Sequence, residues 1–166
     1  MPTTLQPRIA AKIVPHLWFA DRAEEAARFY VSLFPGSHLG AVTGLPADSP
    51  SGPAGSVKVV EFTLAGQPFL ALQAGPLDPF NHAISFVVNC EDQAEIDRLW
   101  EAFLAGGRAE QCGWLKDRYG LSWQIVPTAL GELLKDPDHE RAARVARAML
   151  GMVKLDLAAL RRAAGG

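Results

Sequence analysis

Apolar and polar positions follow the same order twice along the chain. In the first copy, an apolar and aromatic strand candidate at residues 15–20 precedes a run with helical spacing at residues 21–34. In the second copy, an apolar stretch at residues 83–88 precedes a helical run at residues 91–104. Because a strand–helix unit of this size cannot close a hydrophobic core alone, the repeat predicts that each unit pairs with its copy.

Turn and cap signals give the expected limits of the elements. Each copy ends in a hairpin, and the returning strands are expected at residues 66–72 and 120–126. Residues 110–117 are expected to form one strand. Asp21 followed by Glu24 predicts a capping box for the first helix.

The chain divides into four segments by this pattern. Residues 13–75 are expected to be the first strand–helix–strands module, and residues 80–127 the second. Residues 1–12 show no periodicity and are expected to be an N-terminal tail. Residues 128–166 have helical spacing only, which predicts a C-terminal helical extension.

Two further signals concern helix starts. Asp136-Pro137 predicts a cap followed by proline at the first helical position of the extension. Cys90 is expected to begin the second helix, just before the acidic pair Glu91 and Asp92. The fold class predicted by these elements is therefore α+β, with two tandem modules followed by helices.

Composition narrows the functional classes. The 166 residues are 49% hydrophobic and 20% charged, with a net charge of −2 and no block of like charges. A nucleic-acid surface would need clustered Lys and Arg, so we expect no nucleic-acid partner. No apolar run approaches the length of a membrane span, and no secretory leader pattern is present. Two cysteines do not make a disulfide framework, so a cytoplasmic location with free thiols is expected.

Several stretches resemble the PhnB-like branch of the vicinal oxygen chelate superfamily, which includes glyoxalase I, bleomycin-resistance proteins and extradiol dioxygenases. The matching stretches are AEEAARFY at 23–30, VEFTLAGQPF at 60–69, FNHAISF at 80–86, QCGWLKD at 111–117 and YGLSWQIVP at 119–127. Members of this branch are often labelled 3-demethylubiquinone-9 3-methyltransferase. The chain has no Gly-rich turn between a strand and a helix, so the sequence gives methyl transfer no support.

The resemblance implies a glyoxalase-like fold in which two βαββ(β) modules form a U-shaped mixed sheet around a cavity. The superfamily's metal enzymes place one His or Glu from each of four strands in that cavity. The first matching position falls on His16 and the second near residues 70–72, where Gln73 is the closest polar residue. The third falls on Ala83 and the fourth on Gln124. A divalent site normally needs three or more His, Cys or carboxylate ligands. We therefore expect no standard metal site and no cofactor, and a divalent metal is disfavoured.

Strand periodicity indicates which side chains share the cavity face of each sheet. His16, Trp18 and Glu61 are expected there from the first module. Ser85, Ser122 and Gln124 are expected there from the second module. His16 and Glu61 are the candidate catalytic residues, as acid and base. The alternatives are a hydrogen-bonded wall histidine and a solvated carboxylate.

Further candidates lie in the motif at residues 111–117. Trp114 is expected either to stack a flat ligand or to pack in the core. Cys112 lies close to the expected cavity, but a nucleophilic thiol needs a base or a cation, so an inert thiol is favoured. Asp117 is expected to be a turn residue that accepts backbone N–H bonds. The residues expected to contact a ligand share this predicted face or border it: Trp18, Ser85, Cys112, Trp114 and Gln124.

These expectations leave three functions open. The first is a metal-free protein that binds a small, partly aromatic molecule between the modules, as bleomycin-resistance proteins do. The second is a metal-dependent lyase, isomerase or dioxygenase, which needs more ligands than the sequence provides. The third is metal-free acid–base catalysis by His16 and Glu61. The resemblance also implies a homodimer.

Overall fold

A computed structural model describes residues 11–75 and 78–165 of the chain. It has two compact units, Met1–Asp78 and Pro79–Gly166. The predicted tail at residues 1–12 lies almost entirely outside the described residues. The predicted α+β class, with tandem modules and C-terminal helices, is confirmed.

The first unit is one four-stranded mixed sheet with a helix on one face. Its elements in chain order are β1 (His16–Phe19), α1 (Ala23–Leu33), β2 (His38–Gly44), β3 (Lys58–Leu64) and β4 (Gln67–Gln73). The strand order is β1-β4-β3-β2, with β1 parallel to β4 and the other pairs antiparallel. The turn Ala65-Gly66 joins β3 to β4 with φ of 46° and 86°, as a two-residue hairpin requires.

The second unit repeats this arrangement and adds the helical extension. Its elements are β5 (Phe86–Cys90), α2 (Gln93–Leu104), β6 (Arg108–Ala109), β7 (Trp114–Lys116), β8 (Ser122–Pro127), α3 (Thr128–Leu134), α4 (His139–Leu150) and α5 (Leu157–Gly165). The strand order β5-β8-β7-β6 and the parallel β5–β8 pair match the first unit. No helix among the described residues combines the length and the apolar character needed to cross a bilayer.

Each unit buries the apolar stripe of its helix against one face of its sheet. In the first unit, the Tyr30 and Phe62 ring centroids are 6.4 Å apart, and Phe62 stacks on Phe69 at 5.2 Å. In the second unit, Phe103 of α2 lies 4.7 Å from Trp123 of β8. The alternation therefore places the opposite face of each sheet away from α1 and from α2.

The C-terminal extension has a core of its own. Its buried residues are Leu130, Val145, Leu155 and Leu160, and Val126 of β8 packs against them. The extension is also tied to α2. The Gln93 amide donates to the Leu155 carbonyl at 3.1 Å and accepts the Leu157 N–H at 2.8 Å. The extension is thus an integral part of the second unit.

The predicted capping box of α1 is wrong. The N-cap residue is Arg22, with φ of 55° and no capping side-chain bond of its own. Asp21 pairs with Arg22 at 3.4 Å, and Glu24 pairs with Arg28 at 2.7 Å, so neither carboxylate serves the cap. The first helical N–H instead donates to Oε1 of Gln73, at 3.3 Å, from the end of β4. A contact 50 residues away in sequence replaces the local one.

The predicted start of α4 is two residues early. Asp138, not Asp136, is the N-cap, because its carboxylate accepts the N–H groups of both Glu140 and Arg141 at 3.1 Å. Pro137 has no N–H to offer and precedes the cap. The Asp136 carboxylate accepts the N–H of Asp138 and so positions the capping residue.

Two strand limits in the second unit also differ from expectation. The leading strand begins at Phe86, because the Asn81 side chain accepts the Ala83 N–H at 2.8 Å and turns the chain there. Cys90 ends this strand and does not begin α2. The stretch 110–117 is not one strand, since Cys112 and Gly113 have φ of 58° and 83° and form a turn before β7.

Asp117 holds the turn that leads into β8. Its side chain is buried, and one carboxylate oxygen accepts the N–H groups of Tyr119 at 2.8 Å and Leu121 at 3.1 Å. The other oxygen accepts the indole N–H of buried Trp123 at 2.9 Å. The expected turn role is confirmed, and the carboxylate additionally satisfies a polar group in the core.

We expect Asp117→Ala to lower the free energy of unfolding by about 3 kcal/mol, because it leaves the buried Trp123 N–H and two backbone N–H groups without their acceptor. Urea unfolding measures this loss. Asp48→Ala is the matched control, since Asp48 accepts one N–H in an exposed loop, and should cost about 0.5 kcal/mol. Equal losses in the two variants would contradict this assignment.

Cys90 makes stability sensitive to alkaline pH. Burial, with a smaller contribution from the nearby Glu95 carboxylate, raises the pKa of the Cys90 thiol from an ordinary 9.0 to about 12. The unfolded chain therefore loses this proton first as pH rises. The stability contributed by the neutral thiol is complete below pH 9 and is lost between pH 9 and about pH 12.

We expect the free energy of unfolding of the wild type to fall more steeply than that of Cys90→Ala as pH is raised from 7 to about 10.5. The variant loses some packing at pH 7, but it lacks the titrating thiol. Urea unfolding of both proteins at each pH gives the two slopes. Parallel slopes would show that the Cys90 thiol does not couple ionisation to folding.

Candidate functional site

His16 and Glu61 lie on the open face of the first sheet, opposite α1. Their strand neighbours Leu17 and Phe62 are buried under the helix, as predicted. The register pairs His16 with Leu70 and Glu61 with the same Leu70, so the two candidates occupy one row across three strands. Two strand spacings separate their backbones by about 10 Å. The pair therefore shares a face, and no hydrogen bond joins the two side chains.

Trp18 occupies the next row on that face. The register places it beside Leu72, which is paired with Val59 on the far side. The Trp18 indole N–H donates to the carbonyl of Ala74, which orients the ring, and 42% of the residue remains exposed. The first unit thus presents an oriented aromatic surface next to His16.

The Gln73 side chain already has a structural role as the acceptor for α1. It was the polar residue closest to the second family metal position, but its side-chain oxygen caps α1. An oxygen committed to a helix N–H is poorly placed to become a metal ligand. Leu70 and Leu72 precede it along β4 and offer no donor atom.

The open face of the second sheet gathers three of the predicted ligand-contacting residues. Gln124 is paired with Trp114 on one side and with Val87 on the other. Its side-chain N–H donates to the Ser85 hydroxyl at 2.9 Å. Ser85, Gln124 and Trp114 are therefore adjacent, although Ser85 precedes its strand. Ala83, the third family metal position, lies in the turn before β5.

Ser122 differs from its predicted role as an open lining residue. It shares the face of Gln124, but it is fully buried, and its hydroxyl has no hydrogen-bond partner among the described residues. A buried unsatisfied hydroxyl costs on the order of 1–3 kcal/mol. This orphan donor lies two residues from Gln124 and pairs across the strands with Lys116. Because the residue is fully buried and does not line the cleft, this hydroxyl is not a ligand contact.

A cleft of about 390 Å³ adjoins this face at Trp114. Its walls are formed by polar, aromatic and thiol side chains from two turns and β7: His82, Glu110, Gln111, Cys112 and Trp114. The His82 Nε2 lies 2.8 Å from a Glu110 carboxylate oxygen, and the His82 and Trp114 rings are 6.2 Å apart. Cleft volumes of this size suit small organic ligands.

Glu110 is held in its ionised form. Burial acts to raise its pKa, but hydrogen bonds from His82 and from Arg108 outweigh burial and lower the pKa of the Glu110 carboxyl below its ordinary value. The sequence does not predict the His82–Glu110 pair, because the two residues lie outside the regular elements and 28 positions apart. Periodicity carries no signal for such a pair.

Cys112 has a fixed backbone position at this cleft. Its N–H donates to the Met152 carbonyl at 2.9 Å, and the Gly113 N–H donates to the Val153 carbonyl at 2.8 Å. A Cβ on Gly113 would lie 2.8 Å from the Ile125 carbonyl oxygen, so only glycine fits there. The C-terminal extension therefore positions the loop that carries the thiol. Cys112 is half-buried, whereas Cys90 is buried.

A larger cleft, of about 470 Å³, borders the start of α2 but is a poorer candidate. Its lining is mostly charged or polar and includes Glu91, Asp92 and Arg98. Asp92 is committed to capping α2, where it accepts the Glu95 N–H at 2.8 Å. The cleft has no aromatic wall that could hold an organic molecule.

The donor set does not fit a divalent metal ion. In the part of the chain that the structure describes, no three His, Cys, Asp or Glu side chains converge as a metal site would require. At the family metal positions, His16 is accompanied by Leu70, Ala83 and Gln124. Imidazole with an amide and two apolar side chains falls short of the three strong ligands that such a site needs.

Comparison with known proteins agrees with this fold. A sequence profile of the family described as 3-demethylubiquinone-9 3-methyltransferase matches residues 11–126. A PhnB protein from Bacillus cereus, which carries the same name provisionally, is 31% identical, with a TM-score of 0.63. That match covers 70% of this chain and 99% of the Bacillus cereus chain.

More distant structures share the fold alone. Protein PA1353 from Pseudomonas aeruginosa is 22% identical over 71% of this chain and 98% of its own, with a TM-score of 0.55. The fosfomycin resistance protein FosX from Listeria monocytogenes is 16% identical over 75% of this chain and 96% of its own, with a TM-score of 0.53. None of the curated proteins compared with the chain matches it.

The profile match covers most of the chain, and the repeated sheet topology agrees with the fold of the matched structures. The family name does not by itself assign methyl transfer. The chain belongs to the 3-demethylubiquinone-9 3-methyltransferase family of PhnB-like proteins, which have the glyoxalase fold.

Proposed function

We propose that this protein binds a small, partly aromatic organic molecule without a metal ion. The observation that carries the proposal is the continuity of the cleft with the open face of the second sheet, because Trp114 belongs to both. Ligand sites are concave, largely apolar and equipped with a few oriented polar groups. In support, this region is concave and combines an indole wall with an oriented amide within a single unit.

The polar groups suit recognition by hydrogen bonds. The Gln124 amide is held by Ser85, so its orientation is fixed before a ligand arrives. The Ser85 hydroxyl accepts this bond and keeps its own O–H as a donor for a bound molecule. An indole wall beside an oriented amide and a hydroxyl favours a planar ligand that carries a carbonyl or similar polar group.

Acid–base catalysis by His16 and Glu61 is a second candidate. The supporting observation is that both lie in one row of the first sheet. Because about 10 Å separates their backbones, they would act on two ends of one molecule rather than relay a proton directly. A metal-dependent lyase, isomerase or dioxygenase has less support, because only His16 among the family positions is a strong ligand.

We expect planar aromatic carbonyl compounds to bind and to depend on Trp114. Ligand-observed NMR with a panel of such fragments identifies binders, and titration gives Kd. Trp114→Leu should weaken binding about tenfold, because the flat wall is lost, whereas Trp114→Phe should retain most of the affinity. Equal Kd values for Trp114→Leu and the wild type, or no binding by any fragment at millimolar concentration, would refute this site.

Metal analysis of the purified protein tests the metal-free part of the proposal. We expect far less than one equivalent of Zn²⁺, Ni²⁺ or Mn²⁺ per chain after incubation and dialysis, because His16 is the single strong donor among the family positions. Fragment Kd values should not change in the presence of a chelator. One equivalent of metal in the wild type, lost in His16→Ala, would overturn this reading.

The cavity implied by the resemblance, the homodimer and the cytoplasmic location stay predictions.

A further inference from the structure

The cleft at Trp114 holds a combination of groups that ligand binding alone does not require. His82 and Glu110 form a hydrogen-bonded pair, Cys112 supplies a thiol and Trp114 supplies a flat wall. A nucleophile, a base and a residue that orients the base are the parts of a covalent site. These parts come from two separate turns and converge on one concavity.

The His82–Glu110 pair determines which histidine nitrogen is free. An ionised carboxylate only accepts hydrogen bonds, so the Nε2 that faces Glu110 carries the proton in the neutral imidazole. The lone pair then lies on Nδ1, which has no hydrogen-bond partner among the described residues. Glu110 thus orients His82 as a base, and Arg108 in turn contacts the second oxygen of Glu110.

The Cys112 thiol is accessible and held in place. Two backbone bonds to residues 152 and 153 fix the turn, and the thiol's own contact is a weak one, 3.9 Å from the Leu150 carbonyl oxygen. The structure shows no hydrogen bond between the Cys112 thiol and His82. The two groups therefore line one cleft without a hydrogen bond between them, which leaves room in the proposal for a substrate or a water molecule to bridge them.

The backbone at Cys112 does not explain why cysteine is present. Its φ of 58° is a conformation that glycine or asparagine adopts at lower cost. A non-glycine residue in this conformation costs about 1 kcal/mol. The cysteine side chain therefore stands at this position against the local backbone preference.

We propose that this cleft captures planar α,β-unsaturated carbonyl compounds by addition of the Cys112 thiol to the conjugated double bond. The proposal rests on the proposed function in one respect, which is that Trp114 forms a wall of both sites. The substrate class and the new carbon–sulfur bond are specific to the capture site.

The step is balanced without another reactant. His82 Nδ1 takes the thiol proton, directly or through one water molecule, and the sulfur electron pair forms a bond to the β-carbon. The π electrons of the C=C bond move toward the carbonyl oxygen and give an enolate. The imidazolium returns the proton to the α-carbon, so the net change is addition of S–H across C=C. No electron leaves or enters the system.

Intact-protein mass spectrometry with benzylideneacetone as the probe tests the proposal. The expected product is one adduct per chain, located on Cys112 by peptide mapping and absent in Cys112→Ser. The native thiol should react at least tenfold faster than the same thiol in guanidinium-unfolded protein. Acrylamide, which lacks the aromatic plane, should show no such acceleration.

Variants separate base catalysis from simple exposure of the thiol. His82→Ala and Glu110→Gln should each slow the native reaction about tenfold. His139→Ala is the matched control, because His139 is an exposed histidine at the start of α4, and it should react like the wild type. Unchanged rates in His82→Ala, or a native rate no greater than the unfolded rate, would overturn the capture proposal.

The saturated analogue 4-phenyl-2-butanone distinguishes this proposal from the broader one. It can bind the wild type reversibly but cannot form the adduct. Reversible binding without accelerated addition of benzylideneacetone would overturn the capture step and leave the proposed function standing. Absence of both binding and accelerated addition would count against both proposals.

Discussion

The parallel pairing of each leading strand with the last strand of its own unit is the constraint from which the rest follows. Parallel neighbours need a crossover connection, and in both units the helix that follows the leading strand lies on one face of the sheet. The apolar stripes of α1 and α2 cover that face. The side chains that could bind a ligand or take part in a reaction consequently lie on the other face or in the turns at its border.

The sequence predicts this arrangement well where the signal is periodic. The alternation around Leu17 and Phe62 correctly separates the packed face from the face that carries His16 and Glu61. The repeat of strands and helices gives the topology of both units. Periodicity works here because burial on one face is a local property of every second residue in a strand.

The sequence fails where the deciding contact joins distant parts of the chain. Gln73 caps α1 in place of Asp21. His82 forms a hydrogen bond with Glu110, which lies 28 positions further along the chain. Cys112 lies in a turn rather than a strand, because residues 152 and 153 of the extension bind its backbone. None of these contacts leaves a spacing pattern, so they are visible only once the chain is folded.

The cap on α1 has a consequence for how freely the charge at the end of β4 can change. A glutamate at position 73 would accept the same helix N–H as Gln73 and would suit the positive end of the helix dipole even better. The fold therefore does not demand an amide there. Gln73 is the register partner of buried Phe19, so its side chain lies on the helix-covered face, opposite the face that carries Trp18. A change of charge at position 73 would therefore alter the strength of the helix cap and leave the polarity of the open face as it is.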